Sequence, residues 1–267
     1  MPALAPPLSA STGSFAPPTI DEFFPPSFLF EGTPFELNRI MLLRVIVAVV
    51  LIVLFLLYVR RASLVPGRGT GVAETALDFV RVSIAEQILG KENGRRFLPL
   101  LASLFFLILF ANILGVVPFA NIAATSVIGM PLVLALIVYV VFIVVGLRTQ
   151  GPRYFSNTLF PRSVPWYIYP IYSPIEALAV FVLRPATLTI RLFANMVAGH
   201  FLLVLCFKAT DHLLFQAGEA GLMPFALLTL FFGFAFTLFE ILVAVLQAYI
   251  FALLAAVYID SSLHAEH

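Results

Sequence analysis

Charge is what this sequence lacks most. Of its 267 residues only 11% are Asp, Glu, Lys or Arg, while 61% are hydrophobic. A soluble globular protein carries about 25% charged residues, so the composition argues against a water-soluble enzyme. The 15 basic and 14 acidic residues leave a formal charge of +1, which provides no basic surface for nucleic acid. The single cysteine, Cys206, excludes an intrachain disulfide framework and a multi-cysteine metal centre. Four histidines, three of them at His212, His264 and His267, are too few for a His cluster, and neither a metal nor a cofactor is expected. What remains is an all-α polytopic membrane protein.

Its hydrophobic runs define the layout, because about 20 apolar residues are needed to cross a bilayer. Residues 1–38 are Pro-rich and contain no Lys or Arg. They lack the positive start and apolar core of a signal peptide and read as an exposed N-terminal arm. Residues 39–267 then form a single membrane domain. The predicted spans are 40–58, 97–118, 127–147, 175–207 and 224–258. Between the first two, residues 72–89 place Leu77, Val80, Ile84 and Ile88 on one helical stripe with Glu74, Asp78 and Arg81 elsewhere. That pattern predicts an amphipathic helix on the membrane face or against a partner. The second and third spans are close enough in sequence to form an antiparallel hairpin. An aromatic cluster of Trp166, Tyr167, Tyr169 and Tyr172 suits the interface. The last two spans are each about 50 Å long at 1.5 Å per residue, against a hydrocarbon core of about 30 Å. Unbroken, they must tilt steeply; a kink at Pro185 would relax but not remove the mismatch.

Five crossings put Arg60, Arg61, Arg68, Arg81, Lys91, Arg95, Arg96, Arg148, Arg153 and Arg162 on one side and only Arg39 and Lys208 on the other. The positive-inside rule therefore predicts the N-terminus outside and the C-terminus in the cytoplasm. The sequence shows no internal repeat of the kind that marks inverted-repeat transporters.

Five ionisable residues fall inside the last two apolar stretches: Glu176, Arg184, Arg191, His200 and Glu240. A charge at the bilayer centre costs about 2.5–3.5 kcal/mol on insertion scales, so each needs a reason to be there. Arg184 and Arg191 are seven residues apart and share a helical face with Asn195, four beyond Arg191. Ala194 and Ala198 flank that stripe and allow another helix to approach. Glu240 and Gln247, also seven apart, lie beside Ala244 and Ala248, so two polar stripes can face each other. His200 lies about 180° around the helix from Arg191 and points elsewhere, towards a separate aqueous cavity. Blander readings exist for several positions. Arg184 suits a structural role near the cytoplasmic end, Glu176 suits the helix start after Ser173-Pro174, and Asn195 or Gln247 alone suits helix packing. Arg191 differs, because nothing acidic lies three or four residues away and arginine cannot give up its charge. Its counter-charge must come from Glu240, water or another subunit.

The stretch from Arg184 through Arg191-Leu192-Phe193-Ala194-Asn195-Met196-Val197-Ala198-Gly199-His200 resembles the R-L-x-x-N-x-x-A-G core of the a subunit of F-type ATP synthases. Asn112-Ile-Leu-Gly115-Val-Val-Pro118 resembles that family's N-x-x-G-x-x-P, and Leu246-Gln247-Ala248-Tyr249-Ile250-Phe251 its Q-A-F/Y-I-F. The motifs occur in the family's order, and the hydrophobic layout matches from about residue 33 to 260. The resemblance implies a non-catalytic stator in the bacterial plasma membrane, packed against a ring of c subunits that each carry a mid-membrane carboxylate. It also implies b-type peripheral stalk subunits, near which residues 72–89 would lie, and the remainder of the F1Fo complex as partners. H⁺, with Na⁺ second to it, would pass through two offset aqueous half-channels, and the family's essential arginine maps onto Arg191. Asn195 and Gln247 match polar residues beside it, Gln247 orienting the arginine. His200 and Glu240 match a pair lining the outer half-channel, held in the opposite order by some relatives. Asn112 belongs to the same inlet, although the Asp that some relatives carry three residues later is Gly115 here. Glu176 resembles an acid on the exit side, eight residues from Arg184 where several relatives have seven.

Two other classes compete. A free-standing secondary transporter using Arg191 to bind an anionic substrate predicts a pocket within this chain and an internal repeat. An intramembrane hydrolase needs a Ser/Lys pair or two intramembrane Asp, and the predicted spans contain no Asp, while Lys91 and Lys208 lie at or beyond helix ends.

Overall fold

In lipid every backbone N–H and C=O must find its partner within the protein, so apolar runs of this length become helices. A computed structural model describes residues 38–61, 68–117, 125–160, 165–216 and 222–263, and all regular structure among them is helical. Among the described residues five helices are long and apolar enough to cross a membrane. The N-terminal arm up to residue 37, Pro118 and Arg162 lie outside the described residues.

Helix α1 (Arg39–Arg61) begins where the Asn38 Oδ1 accepts from the Met41 N–H at 2.8 Å, an ordinary N-cap. It buries only one stripe, Ile40, Leu43, Val47 and Leu51. That stripe packs on Ala111, Phe110 and Leu114 at the end of α3 and on Val127.

The amphipathic stretch is helical: α2 (Arg68–Val80) continues through a π-helical turn, Arg81–Glu86, into α3 (Gln87–Ile113). The path reverses at Gly90, whose φ of 74° is open to glycine at little cost. The apolar stripe of the α2 arm, Val80, Ile84, Ala85 and Leu89, is buried in a core shared with α3 and with the last helix, α8 (Met223–Leu263), of the same chain. The partner predicted for this face is thus the chain itself. Two observations fix the fold-back. Gly94 lies so close that a Cβ there would sit 3.0 Å from the Ala85 carbonyl carbon and oxygen. Phe79 meets Phe105 at 6.1 Å and Tyr249 at 5.8 Å between ring centroids. After the break at Gly90 the second span is helical from Lys91, ahead of its predicted start at Phe97, runs through Pro99, and ends at Ile113.

Helix α4 (Gly129–Gln150) ends at Gly151, whose φ of 63° and 2.9 Å bond to the Leu147 carbonyl close the last turn. The short α5 (Arg153–Leu159) turns Tyr154 back onto Gly146.

Helix α6 (Tyr169–Leu178), a π-helical turn (Ala179–Leu183), α7 (Arg184–Asp211) and a second π-helical turn (His212–Gln216) form one rod, of which Tyr169–Phe215 is 47 residues, about 70 Å at 1.5 Å per residue. The sequence predicts 175–207. Pro170 sits in the first turn of the rod, where a missing N–H costs nothing, while Pro174 lies inside α6 and is accommodated there. Pro185 does not break it. The wide π turn immediately before absorbs the bond that proline cannot donate to residue 181. Helix α8 (Met223–Leu263, 41 residues) runs about 60 Å. Both rods exceed the hydrocarbon thickness and require tilt. The buried stripe of α8 includes Ala244, Ala248, Ala252, Ala255 and Ala256, small side chains that let α3, α4 and α7 approach.

Candidate functional site

Helices α7 and α8 pair antiparallel in one register over the C-terminal half of α7 and the N-terminal half of α8. Thr210 and Thr229 hydroxyls meet at 2.8 Å, and Gly233 lies against Phe207 and Cys206. Gly199 lies against the Glu240 carboxyl, and the Asn195 Nδ2 donates to the Gln247 Oε1 at 2.9 Å. Small residues at the crossing points, Gly199, Gly233, Ala244 and Ala248, permit this approach; the polar groups then meet because each stripe repeats at helical spacing.

Between the two helices opens a cleft of about 340 Å³. It holds Arg191, Asn195, Glu240 and Gln247, with Ala198 and Gly199 on one side and Phe236 and Phe239 on the other. Arg191 is half-buried, Asn195 exposed, and Glu240 and Gln247 each only 3% exposed. Both Glu240 carboxylate oxygens and the Gln247 Nε2 lack a hydrogen-bond partner among the described residues. No described carboxylate forms an ion pair with Arg191. A fixed cation and an unpartnered buried carboxyl therefore share one cavity without closing on each other. Such a cavity is polar enough and large enough for water. Beside it, the outward face of α7 carries Thr187, Ile190, Ala194, Asn195 and Ala198, all exposed.

The remaining predicted residues sit elsewhere. His200 is 5% exposed on the inner face of α7, outside the cleft lining, next to the Gly199 that abuts Glu240. Asn112 is fully buried at the end of α3, where its Oδ1 accepts from the Thr125 hydroxyl at 2.7 Å. Arg184 stacks over the Tyr258 ring at 5.1 Å and donates to the Ser261 Oγ at 3.4 Å, which ties it to the far end of α8. Glu176 is half-buried on α6.

The family model described as ATP synthase A chain matches residues 41–260. This chain belongs to the ATP synthase A chain family. It is 47% identical to ATP synthase subunit a of Rhodococcus erythropolis over 253 residues, covering 94% of this chain and 92% of that one. It is 41% identical to the subunit a of Pseudarthrobacter chlorophenolicus over 264 residues (99% and 98%). The subunit a of Gluconacetobacter diazotrophicus is 42% identical over 233 residues (86% and 89%). An A chain of this family, with five apolar helices, is a multi-pass membrane protein.

Three polar features of this A chain escaped the sequence reading. Thr125 and Ser126 are buried with Asn112; the only sign was two hydroxyl residues just before the apolar run of α4. Tyr154 and Gln150 hold the end of α8 through the Ser262 Oγ (3.5 Å) and carbonyl (3.1 Å). Arg81 pairs with Glu86 at 2.8 Å within the π turn.

Proposed function

We propose that this chain is the static, proton-conducting subunit of a rotary F-type ATP synthase. It performs no bond chemistry; ATP synthesis belongs to other subunits of the F1Fo complex. The observation that carries this reading is the shared cleft, with Arg191 and Glu240 unpaired in one cavity that borders the exposed small-residue face of α7. A stator needs that combination. The cation attracts an arriving ring carboxylate in its charged form, and because arginine does not release its proton at working pH it blocks direct passage between half-channels. The Asn195–Gln247 bond holds the two helices together beside the arginine.

H⁺ enters from outside past Asn112, His200 and Glu240, neutralises a c-subunit carboxylate, and leaves to the cytoplasm on the side of Glu176 after the ring has turned. Arg184, held by Tyr258 and Ser261, positions the ends of α7 and α8 near the exit. Two rods of about 60–70 Å can follow the curved side of a ring where upright helices cannot. Residues 39–267 form the membrane domain, with the arm 1–38 outside, the C-terminus in the cytoplasm of a bacterium, and b-type stalk subunits against the cytoplasmic side. Moving one charge through 100 mV yields about 2.3 kcal/mol, so several ions must cross per ATP and a leak is costly.

The contact is testable by disulfide trapping. With Cys206 replaced by alanine, Ala194→Cys should cross-link under oxidation to a cysteine near the carboxylate of the ring helix and stop rotation until reduced. No cross-link in an assembled complex, with the Ala194→Cys thiol open to lipid-soluble maleimide, would contradict the assignment of this face.

A further inference from the structure

A π-helical turn, Ala179–Leu183, separates Glu176 from Arg184 on the rod, and the Arg184 N–H reaches five residues back to the Ala179 carbonyl. A turn of that kind holds one residue more than an α-turn, and such turns gather at functional sites. Its effect shows in what faces outward. Ile175, Leu178, Leu183, Thr187, Ile190 and Ala194 are all exposed, at steps of three, five, four, three and four residues, and the five-residue step is the one that crosses the π turn. An uninterrupted α-helix would carry the outward line of α6 from Leu178 through Val182 and Pro185 to Thr189, which is only 3% exposed. The π turn therefore keeps one face outward along the rod.

The same shift aligns the charges. Glu176, Arg184 and Arg191 each follow an outward residue, Ile175, Leu183 and Ile190, by one position. At about 100° per residue, eight residues of plain α-helix would leave Glu176 about 80° from Arg184. With one residue taken up by the π turn the offset falls to about 20°, equal to that between Arg184 and Arg191. The edge the two arginines share is turned to α8: Arg184 meets Tyr258 and Ser261, and Arg191 shares its cleft with Glu240 and Gln247. Glu176 has no ion pair or side-chain hydrogen bond among the described residues, and α6 has no buried residue. Packing thus leaves the direction of that carboxylate open; the π turn sets it.

We infer that the π turn is a positioning element that brings the Glu176 carboxylate onto the edge carrying Arg184 and Arg191, so that one line of ionisable groups, about 20 Å long, runs down a single side of the rod. The inference rests on the proton-conducting reading above. It adds the register on which the use of Glu176 depends, and assigns that register to the backbone between the two charges.

The test moves the register and the carboxylate independently in the assembled ATP synthase in membrane vesicles. An alanine inserted between Leu178 and Ala179 leaves α7 and the buried Val180 in place and turns α6 by about 100°. Moving the carboxylate alone, by Glu176→Ala with Ala177→Glu, turns it by about the same angle in the opposite sense. Each change alone should lower proton-driven ATP synthesis about 10- to 100-fold with the complex assembled, and the two together should restore it. A packing role cannot produce that restoration. Loss in both without recovery in the combined variant would make the π turn a packing feature and overturn the inference, as would normal synthesis in either alone. If the insertion prevents assembly, the carboxylate shift in the chain of normal length decides: a loss as large as that of Glu176→Ala alone upholds the inference, because the carboxylate is then present but out of line, and synthesis above that level overturns it. Arg191→Ala in the same vesicles separates the two levels. Retained coupling there means that the stator reading itself fails, whereas lost coupling there without recovery in the combined variant refutes the register alone.

Discussion

Arg191 and Glu240 share a cleft without forming an ion pair, and most of the chemistry turns on that separation. A closed pair would satisfy both charges and leave neither for an incoming group; an open one keeps a cation and a carboxyl available in a cavity that can hold water. Glu240→Gln keeps the volume and removes the titrating group, so proton-driven ATP synthesis should fall by about 10²-fold, the scale of a lost proton-transfer group, with the complex still assembled. His200→Ala should slow it in the same direction. Normal rates in both variants would remove the two residues from the path. Gln247→Leu breaks the 2.9 Å bond from Asn195 and should weaken coupling more than stability; unchanged pumping would make that bond a packing contact only. The arginine stripe was legible because seven-residue spacing places Arg184 and Arg191 on one face, with Asn195 four residues further on and Ala194 and Ala198 beside it. Thr125 and Ser126 were not, because a segment without helical periodicity gives no face to read. The partners of Arg184 were hidden for a different reason: Ser261 is 77 residues away in sequence, and no local pattern records a contact of that separation.

The helices themselves were legible as hydrophobic runs, but their ends were not. The rod holding α6 and α7 begins at Tyr169, where Pro170 in the first turn forfeits no bond, and it runs on through Pro174 inside α6. The segment after α1 read correctly as amphipathic, yet periodicity shows only that one face is apolar and not what covers it. The cover is α3 and α8, allowed by a single glycine contact. Gly94→Ala would place a methyl 3.0 Å from backbone atoms of Ala85 that cannot swing aside. It should destabilise the hairpin by about 1–3 kcal/mol, seen as a lower midpoint of thermal unfolding of the purified complex in detergent. Gly146→Ala should act similarly at the α4–α5 corner, since its Cβ would lie 2.5 Å from the Tyr154 ring; Tyr154→Leu in that background should recover part of the loss. Full stability of both alanine variants would mean that these close approaches are not maintained.

Across the whole molecule, the basic residues gather at one end of the bundle and large apolar side chains cover its flanks, among them Leu238, Phe239, Leu242 and Ile190, each 57% exposed or more. Exposed surface of that kind belongs in lipid or against other apolar helices. The charge asymmetry gives the orientation a direct check. In a Cys206→Ala background, Lys208→Cys should react with a membrane-impermeant maleimide only from outside and Arg153→Cys only from the cytoplasmic side; the reverse pattern would invert the proposed path of H⁺. The fold class, five crossings with two long final helices, followed from composition and run length alone. The arrangement around a ring cannot be read that way, since it depends on a face whose partner is another chain.

The most direct test of the central claim is Arg191→Ala in the reconstituted complex. ATP-driven proton pumping, proton-driven ATP synthesis and passive proton leak are measured together after assembly is confirmed. The account predicts loss of both coupled activities, with a leak equal to or above that of the unmodified complex. Retained coupling would contradict it, because a stator whose half-channels stay separate without Arg191 does not use that cation as its barrier.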